Sequence, residues 1–325
     1  MIIAKAPLRV SIGGGGTDLP SFYENNNGTI FSSLAIKKYI FVSINEKFNP
    51  GFFIRYSSNE KTDFIEDIDH PIIKETLIDL NYNNNNLEIT STSDIPSGTG
   101  LGSSGTFGVA LQLALRELLN KEKDKEILAK ESTKIEMDIL KRPIGLQDQY
   151  ISAYGGITEF KVSSESKVVV NQRKISEKTE DRIKNSLFLI FTSSTRSSSK
   201  ILSFESKELK KKDNRTSYES IIELGREMFE LLTDGRIKEY GHLMHEYWMI
   251  KRQRQKSITD KNVNNLYDFL KAKEIIYGGK LVGAGGSGFL LVSTGQKKKL
   301  LEFTAANRYI TFPVEIDNYG AQLVS

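Results

Sequence analysis

In the first half of the chain, apolar positions recur with strand spacing in three places and with helical spacing in two. Residues 2–12 and 36–46 are rich in β-branched and aromatic residues, and 87–93 alternates apolar and polar, so each predicts a strand. Asn81 to Asn86, interrupted only by Tyr82, predicts a polar turn. Phe107, Leu111, Leu115 and Leu118 follow helical spacing to about residue 119. A second helix is predicted from an acidic N-cap at Asp124 to about Lys141, ahead of Pro143. Its buried stripe reads as Ile127, Ile135 and Ile139 with Leu128 beside them. Glu136 then lies one residue off the stripe, at the core's edge and able to point into a cleft.

Beyond Gly155-Gly156 the pattern returns to strands at 157–162 and 167–172. A polar stretch over 173–186 separates these from the apolar run Leu187 to Thr192. The expected domain boundary falls in it, giving domains of 1–180 and 181–325. The second half is more helical, with helices expected near 196–210, 216–232, 236–255 and 260–275. Gly278 to Val292 reads as a strand pair punctuated by glycines, which mark bends or close backbone approach. No internal repeat is visible.

Composition narrows the classes. At 325 residues the chain is long enough for two packed cores, and 38% apolar with 26% charged residues is ordinary for a soluble globular protein. A net charge of +4 is too small to argue for nucleic acid, so the basic clusters Lys207–Lys212, Lys251–Lys256 and Lys297–Lys299 read as solvated faces or loops. With no cysteine there are no disulfides or thiolate metal sites, and His70, His242 and His245 are too scattered for zinc. Lys5, Pro7 and Arg9 break up the N-terminus, so it is not read as a signal peptide. No apolar run approaches membrane-spanning length, and a cytoplasmic protein is expected.

Three segments carry chemistry. In Asp94-Ile-Pro-Ser-Gly-Thr-Gly-Leu-Gly-Ser-Ser-Gly-Thr-Phe107, glycines at every second position and two serines lead into a helix. Such a loop presents backbone N–H groups at the positive end of a helix, where phosphate binds, and Ser103 or Ser104 can hold Mg²⁺ beside it. It is neither the Gly-x-x-x-x-Gly-Lys phosphate loop nor the dinucleotide fingerprint, and a mobile glycine-rich surface loop is the alternative. In Ala6-Pro-Leu-Arg-Val-Ser-Ile-Gly-Gly-Gly-Gly-Thr-Asp-Leu-Pro20, a strand enters a glycine turn that presents Thr17 and Asp18. Aspartate there can accept from sugar hydroxyls, and Arg9 suits a phosphate or developing oxyanion, the alternative being a plain hairpin with a surface arginine. Glu136 and Asp148, the latter placed in the loop after the second helix, are carboxylates of the kind phosphoryl transfer needs for Mg²⁺ and for the acceptor hydroxyl. A helix-surface charge and a turn residue are the alternative.

In this order, residues 6–20, Pro96–Ser104 and 278–291 resemble the three motifs of the GHMP small-molecule kinases, over nearly the whole chain. The resemblance implies an α+β fold of two domains, with the active site in the cleft between them, and the cofactors ATP and Mg²⁺. The variant Gly-Gly-Gly-Thr-Asp-Leu-Pro20 is similar to the sugar-1-kinase branch. Gln147-Asp-Gln-Tyr150, Tyr154-Gly-Gly156 and Thr195-Arg196-Ser197 look like that branch's heptose 7-phosphate kinases. Carried over residue by residue, the resemblance assigns Pro96, Gly98, Gly100, Leu101, Gly102, Ser103 and Ser104 to the ATP phosphates. It assigns Ser104 and Glu136 to Mg²⁺, and Asp148 with Arg9 to catalysis. Gly15, Gly16, Thr17 and Asp18 would meet the sugar, Gly283–Gly286, with Gly285 and Gly286 among them, would approach the substrate or the phosphate loop through backbone contacts, and Arg196 would hold the sugar's existing phosphate. The third motif departs from the family's four-glycine run at Ser287. The implied activity is ATP-dependent phosphorylation of a heptose 7-phosphate at its anomeric hydroxyl, feeding nucleotide-heptose and surface-polysaccharide synthesis. A kinase for free fucose or galactose, or a non-catalytic sensor, is the alternative. The expected partner is a small sugar phosphate, with neither nucleic acid nor membrane.

Overall fold

The computed structural model describes residues 1–192, 215–254, 259, 261–283, 285 and 288–324. The chain starts with strand β1 (Ile2–Gly13), a short helix α1 (Pro20–Tyr23), and strands β2 (Thr29–Glu46), β3 (Phe52–Arg55) and β4 (Asn59–Thr62). Helix α2 (Pro71–Asp79), β5 (Leu87–Ser93), and helices α3 (Ser103–Leu118), α4 (Lys125–Lys134) and α5 (Gln147–Tyr154) follow. Then come β6 (Ile157–Val162), β7 (Val168–Arg173), α6 (Glu177–Ser186) and β8 (Leu187–Phe191). The remainder comprises α7 (Arg215–Thr233), α8 (Ile237–Arg254), α9 (Lys261–Ala272), β9 (Gly278–Leu281), β10 (Phe289–Ser293), α10 (Lys297–Ala306), β11 (Thr311–Pro313) and β12 (Gln322–Leu323). Helices and mainly antiparallel sheets make this an α+β fold, as expected.

One sheet runs β12-β1-β2-β5-β3-β4, with β6 and β7 branching from β2; the other runs β11-β8-β10-β9. The branch exists because β2 is 18 residues long. Its first part pairs with β6 (Thr29↔Val162 to Leu34↔Ile157) and its last with β5 (Ile40↔Ser93 to Glu46↔Leu87). The sequence pattern caught only 36–46, since β2's earlier half is buried almost throughout and shows no alternation. Register shifts after Pro7 and after Ser11 interrupt the β1–β2 ladder on either side of Arg9. The 196–210 helix expectation lies outside the described residues.

Helix α3 is more deeply placed than its predicted stripe: Gly105 through Arg116 are all buried, so it is a central helix rather than a surface one. The helix predicted to run from Asp124 to Lys141 is divided. Asp124 caps α4 by accepting from the Ile127 N–H, and Ile135–Ile139 then widen into a π turn closed by Leu140 N–H to the Ile135 carbonyl at 3.0 Å. The extra residue rotates the stripe. Glu136 is fully buried beside Ile135, while Ile139, assigned to the core from spacing, is 38% exposed. Helices α2, α6 and α10 were not anticipated. In α6 only Thr179 and Ile183 are buried, too little for an apolar pattern, although Ser176 caps its start.

Candidate active site

The glycine-rich stretch 98–102 is a tight loop at the N-terminus of α3. Gly98, Gly100 and Gly102 have φ of 76°, 84° and 82°, a left-handed backbone that explains why glycine recurs at every second position. The loop is not loose, because Gly283 packs on it: a Cβ there would stand 2.6 Å from the Gly100 carbonyl oxygen. The third motif therefore meets the loop by backbone-to-backbone contact. The loop, α3 and the end of β1 face a cavity of about 630 Å³.

At its centre Arg9 and Asp148 form an ion pair, Nε donating to Oδ1 at 2.7 Å. Arg9 Nη1 donates to the Gly100 carbonyl at 2.7 Å, and the Arg9 side chain is 7% exposed, so it is no surface arginine. Asp148 does not sit in a loop; it is in the first turn of α5, packed against Gly102 and Gly105. The spacing misled because α5 begins only four residues after Pro143 and its first turn is rich in glutamine, with no helical stripe. Among the described residues nothing donates to Asp148 Oδ2.

Beside this pair, Ser104 Oγ donates to Glu136 Oε2 at 2.5 Å, and Gln149 Nε2 donates to Oε1 at 2.9 Å. Arg142, which sequence reasoning missed, donates through Nη1 to Glu136 Oε2 at 2.9 Å and to Ser104 Oγ at 3.1 Å. Burying a carboxylate this completely requires such a partner. The donor set fits Mg²⁺: two hard oxygens side by side, against which a guanidinium already stands as a cation. Ser103 Oγ, at the same helix start, is buried and has no hydrogen-bond partner among the described residues, a polar atom open to a phosphate.

Of the acceptor-side residues, Gly15, Gly16 and Asp18 line the cavity. Asp18 accepts from Gly16 N–H and Gln147 N–H, each at 3.2 Å, tying the glycine turn to α5. Thr17 is a correction. It is fully buried, donates to the Gly14 carbonyl at 2.8 Å and accepts from Thr29 Oγ1 at 2.6 Å, so its hydroxyl shapes the turn and does not face a ligand. Two loop assignments also change. Leu101 turns into the core at 0% exposure, and Pro96 stays outside the cavity, its carbonyl accepting from Thr99. Gly285 has a φ of 99° but does not line the cavity, whereas Gly283 does. Arg196 and Gly286 lie outside the described residues.

The other end of the cavity was not read from the sequence. There Tyr56, His70 and Phe107 form an aromatic group, His70 lying edge-on to Tyr56 at 4.7 Å and 5.1 Å from Phe107 between ring centroids. His70 also caps α2, its Nδ1 accepting from the Ile73 N–H, and burial holds its pKa below the ordinary value. A lone histidine before Pro71 gives no sequence sign of this role. Lys251, grouped with a solvated cluster, is 7% exposed and lines the cavity. By contrast Lys297, Lys298 and Lys299 are exposed as expected. Among the described residues no helix is long and apolar enough to cross a membrane.

Comparison with known proteins agrees with this geometry. Residues 71–156 match the GHMP kinases N terminal domain. The chain is 25% identical over 314 residues to the D-glycero-alpha-D-manno-heptose 7-phosphate kinase of Campylobacter jejuni, covering 92% of this chain and 91% of that one. It is also 25% identical to a galactokinase of Thermosipho africanus, over 94% and 93% of the two chains. In fold it resembles the crystal structure of a D-glycero-D-manno-heptose 1-phosphate kinase from Bacteroides thetaiotaomicron, with a TM-score of 0.81 at 21% identity, covering 100% and 99%.

Proposed function

We propose that this chain, which matches the GHMP kinases N terminal domain over residues 71–156, is a sugar kinase that transfers a phosphoryl group from ATP to the anomeric hydroxyl of D-glycero-D-manno-heptose 7-phosphate. The product is the 1,7-bisphosphate, a precursor of the nucleotide-activated heptoses used in surface polysaccharide. The observation that carries the reading is the Arg9–Asp148 pair at the mouth of the glycine loop, with Asp148 Oδ2 left to accept a hydroxyl.

In this reading the phosphates of ATP rest on the 98–104 loop and the α3 N-terminus, where N–H groups and the helix dipole meet negative charge. Tyr56, His70 and Phe107 supply an aromatic wall for the base. Asp148 Oδ2 accepts the hydrogen of the sugar hydroxyl and directs its oxygen at the phosphoryl group, so positioning and proton removal reside in one atom. Arg9 fixes that carboxylate through Nε and offers positive charge where the acceptor oxygen and the transferring group gather negative charge. Ser104 and Glu136 would hold Mg²⁺, which supplies neutralisation of the phosphate oxygens when bound. Arg142, which now donates to Glu136 Oε2, would have to release that oxygen for it to serve as a ligand. Gly15, Gly16 and Asp18 face the sugar. We take residues 1–180 and 181–325 as the two domains of this cleft. The split between the two sheets supports that division, although β12 returns to the first sheet.

ADP release measured over a panel of phosphorylated and free sugars tests the reading. Turnover of heptose 7-phosphate at least tenfold more efficient than that of heptose, fucose or galactose is the expected result. Preference for free galactose or fucose would instead assign the chain the chemistry of its galactokinase relative.

A further inference from the structure

Behind the Gly13–Gly16 turn lie two lysines that no carboxylate neutralises among the described residues. Lys280, on β9, is buried; its ammonium donates to the Ile12 carbonyl and lies 4.6 Å from the centroid of the Tyr247 ring. Lys251, near the end of α8, approaches the same ring at 5.7 Å. It is 93% buried by its 7% exposure, yet its ammonium has no hydrogen-bond acceptor among the described residues and it lines the cavity. Tyr247 accepts from the Gly15 N–H at 3.2 Å, which leaves its own hydroxyl hydrogen to donate. A Cβ on Gly15 would stand 3.4 Å from Lys251 Nζ and 3.6 Å from Ser11 Oγ. The cavity wall at Gly15 is therefore built of donors: an ammonium and two hydroxyls.

The stem of Lys251 is buried while its ammonium opens on the cavity, where an anion would be the counter-charge it lacks. Arg9 has its carboxylate in Asp148, and Asp18 is held by the Gly16 and Gln147 N–H groups, so among the described residues no carboxylate pairs with Lys251. Burial, then the charges of Lys251 and Arg9, push Lys280 well below the ordinary lysine range, so Lys251 is the cation this corner presents to the cavity. In the proposed site the donor nucleotide has its own cradle in the 98–104 loop, whereas Lys251 stands beside Gly15 of the acceptor turn and the Tyr247 ring that bonds to it. We infer that Lys251, grouped with the Tyr247 and Ser11 hydroxyls around Gly15, is the specificity residue of the acceptor pocket, holding a phosphoryl group that the sugar already carries. This inference rests on the heptose 7-phosphate reading for its ligand, but the anion site is defined by Lys251 and those hydroxyls.

The test uses Lys251→Met, which keeps the stem and removes the charge, and Lys251→Arg, which restores charge and guards against a merely structural effect. With the phosphate loop saturated by a non-hydrolysable ATP analogue, calorimetry reads the binding of inorganic phosphate. Lys251→Met should weaken it by about 100-fold and Lys251→Arg should recover most of that loss. In turnover, Lys251→Met should raise KM for the phosphorylated sugar by a similar factor, at least tenfold more than it changes KM for a free sugar or for ATP, and Lys251→Arg should restore the difference. Equal phosphate binding by wild type and Lys251→Met, no phosphate binding by wild type, or an equal loss of kcat on phosphorylated and free sugars would each overturn the inference. Wild-type preference for free sugars, with phosphate binding still lost in Lys251→Met, would instead overturn the heptose 7-phosphate reading and leave the anion site standing.

Discussion

Asp148 uses one carboxylate oxygen to hold Arg9 and keeps the other toward the cavity, so its two atoms have separable duties. Asp148→Asn retains the shape and the Arg9 contact through its amide oxygen but loses the acceptor for a hydroxyl proton. We expect kcat to fall by about 10²–10⁴-fold, with KM for ATP nearly unchanged, in steady-state ADP release. Wild-type kcat in that variant would remove Asp148 from the chemistry. At this scale the sequence was legible where a residue sat inside a recognisable motif: Arg9, Asp18, Ser104 and Asp148 line one cavity, and Glu136 lies behind it, bonded to Ser104. It was not legible for Arg142 and Lys251. Both are long cations in polar surroundings, and nothing in the local sequence separates an inward-facing lysine from a solvated one. Thr17 erred in the opposite direction, since a hydroxyl in a motif reads as a ligand until its partners Gly14 and Thr29 are seen.

Among the elements, the glycine loop and the third motif form one unit. Gly100 and Gly283 face each other with backbone in contact, and both have positive φ, 84° and 76°. Gly283→Ala would add a methyl 2.6 Å from the Gly100 carbonyl oxygen and strain a left-handed backbone. The expected cost is about 2 kcal/mol of stability, seen as a lower midpoint in urea unfolding, together with at least tenfold weaker ATP binding. An unchanged midpoint and affinity would show that the two segments move independently. The π turn at Ile135–Ile139 is a second case. Spacing alone placed Glu136 beside the core stripe; one inserted residue puts it wholly inside, where Arg142, Ser104 and Gln149 satisfy it. Periodicity arguments assume a constant turn and cannot register such a bulge.

For the whole molecule, the cavity exists because the two sheets' elements are brought against each other. Lys280 of β9 bonds to the end of β1, Gly225 of α7 packs on Gly13, and Gly283 packs on the α3 loop. Two histidines bear on the stability of this arrangement. Burial holds both His70 and His245 below the ordinary value of 6.5, and the His70 Nδ1 must stay unprotonated to cap α2. The unfolded chain therefore takes up these protons first. Their contribution is intact above pH 6.5 and is lost as pH falls through the lower folded values. Thermal midpoints measured from pH 7.5 downward should begin to drop below about pH 6.5, and His70→Asn, which preserves a cap, should flatten that decline. A slope identical to wild type would exclude His70 as a contributor. The sequence by itself determined most strands, the long helices and the three motifs, and the α+β class followed from the family those motifs resemble. The elements and motifs depend on short-range spacing and on glycines that a left-handed backbone demands. Tertiary structure alone decided which charges face inward. The partners Arg9–Asp148, Glu136–Arg142 and Ile12–Lys280 are 139, 6 and 268 residues apart, and even the near pair meets only through the widened turn.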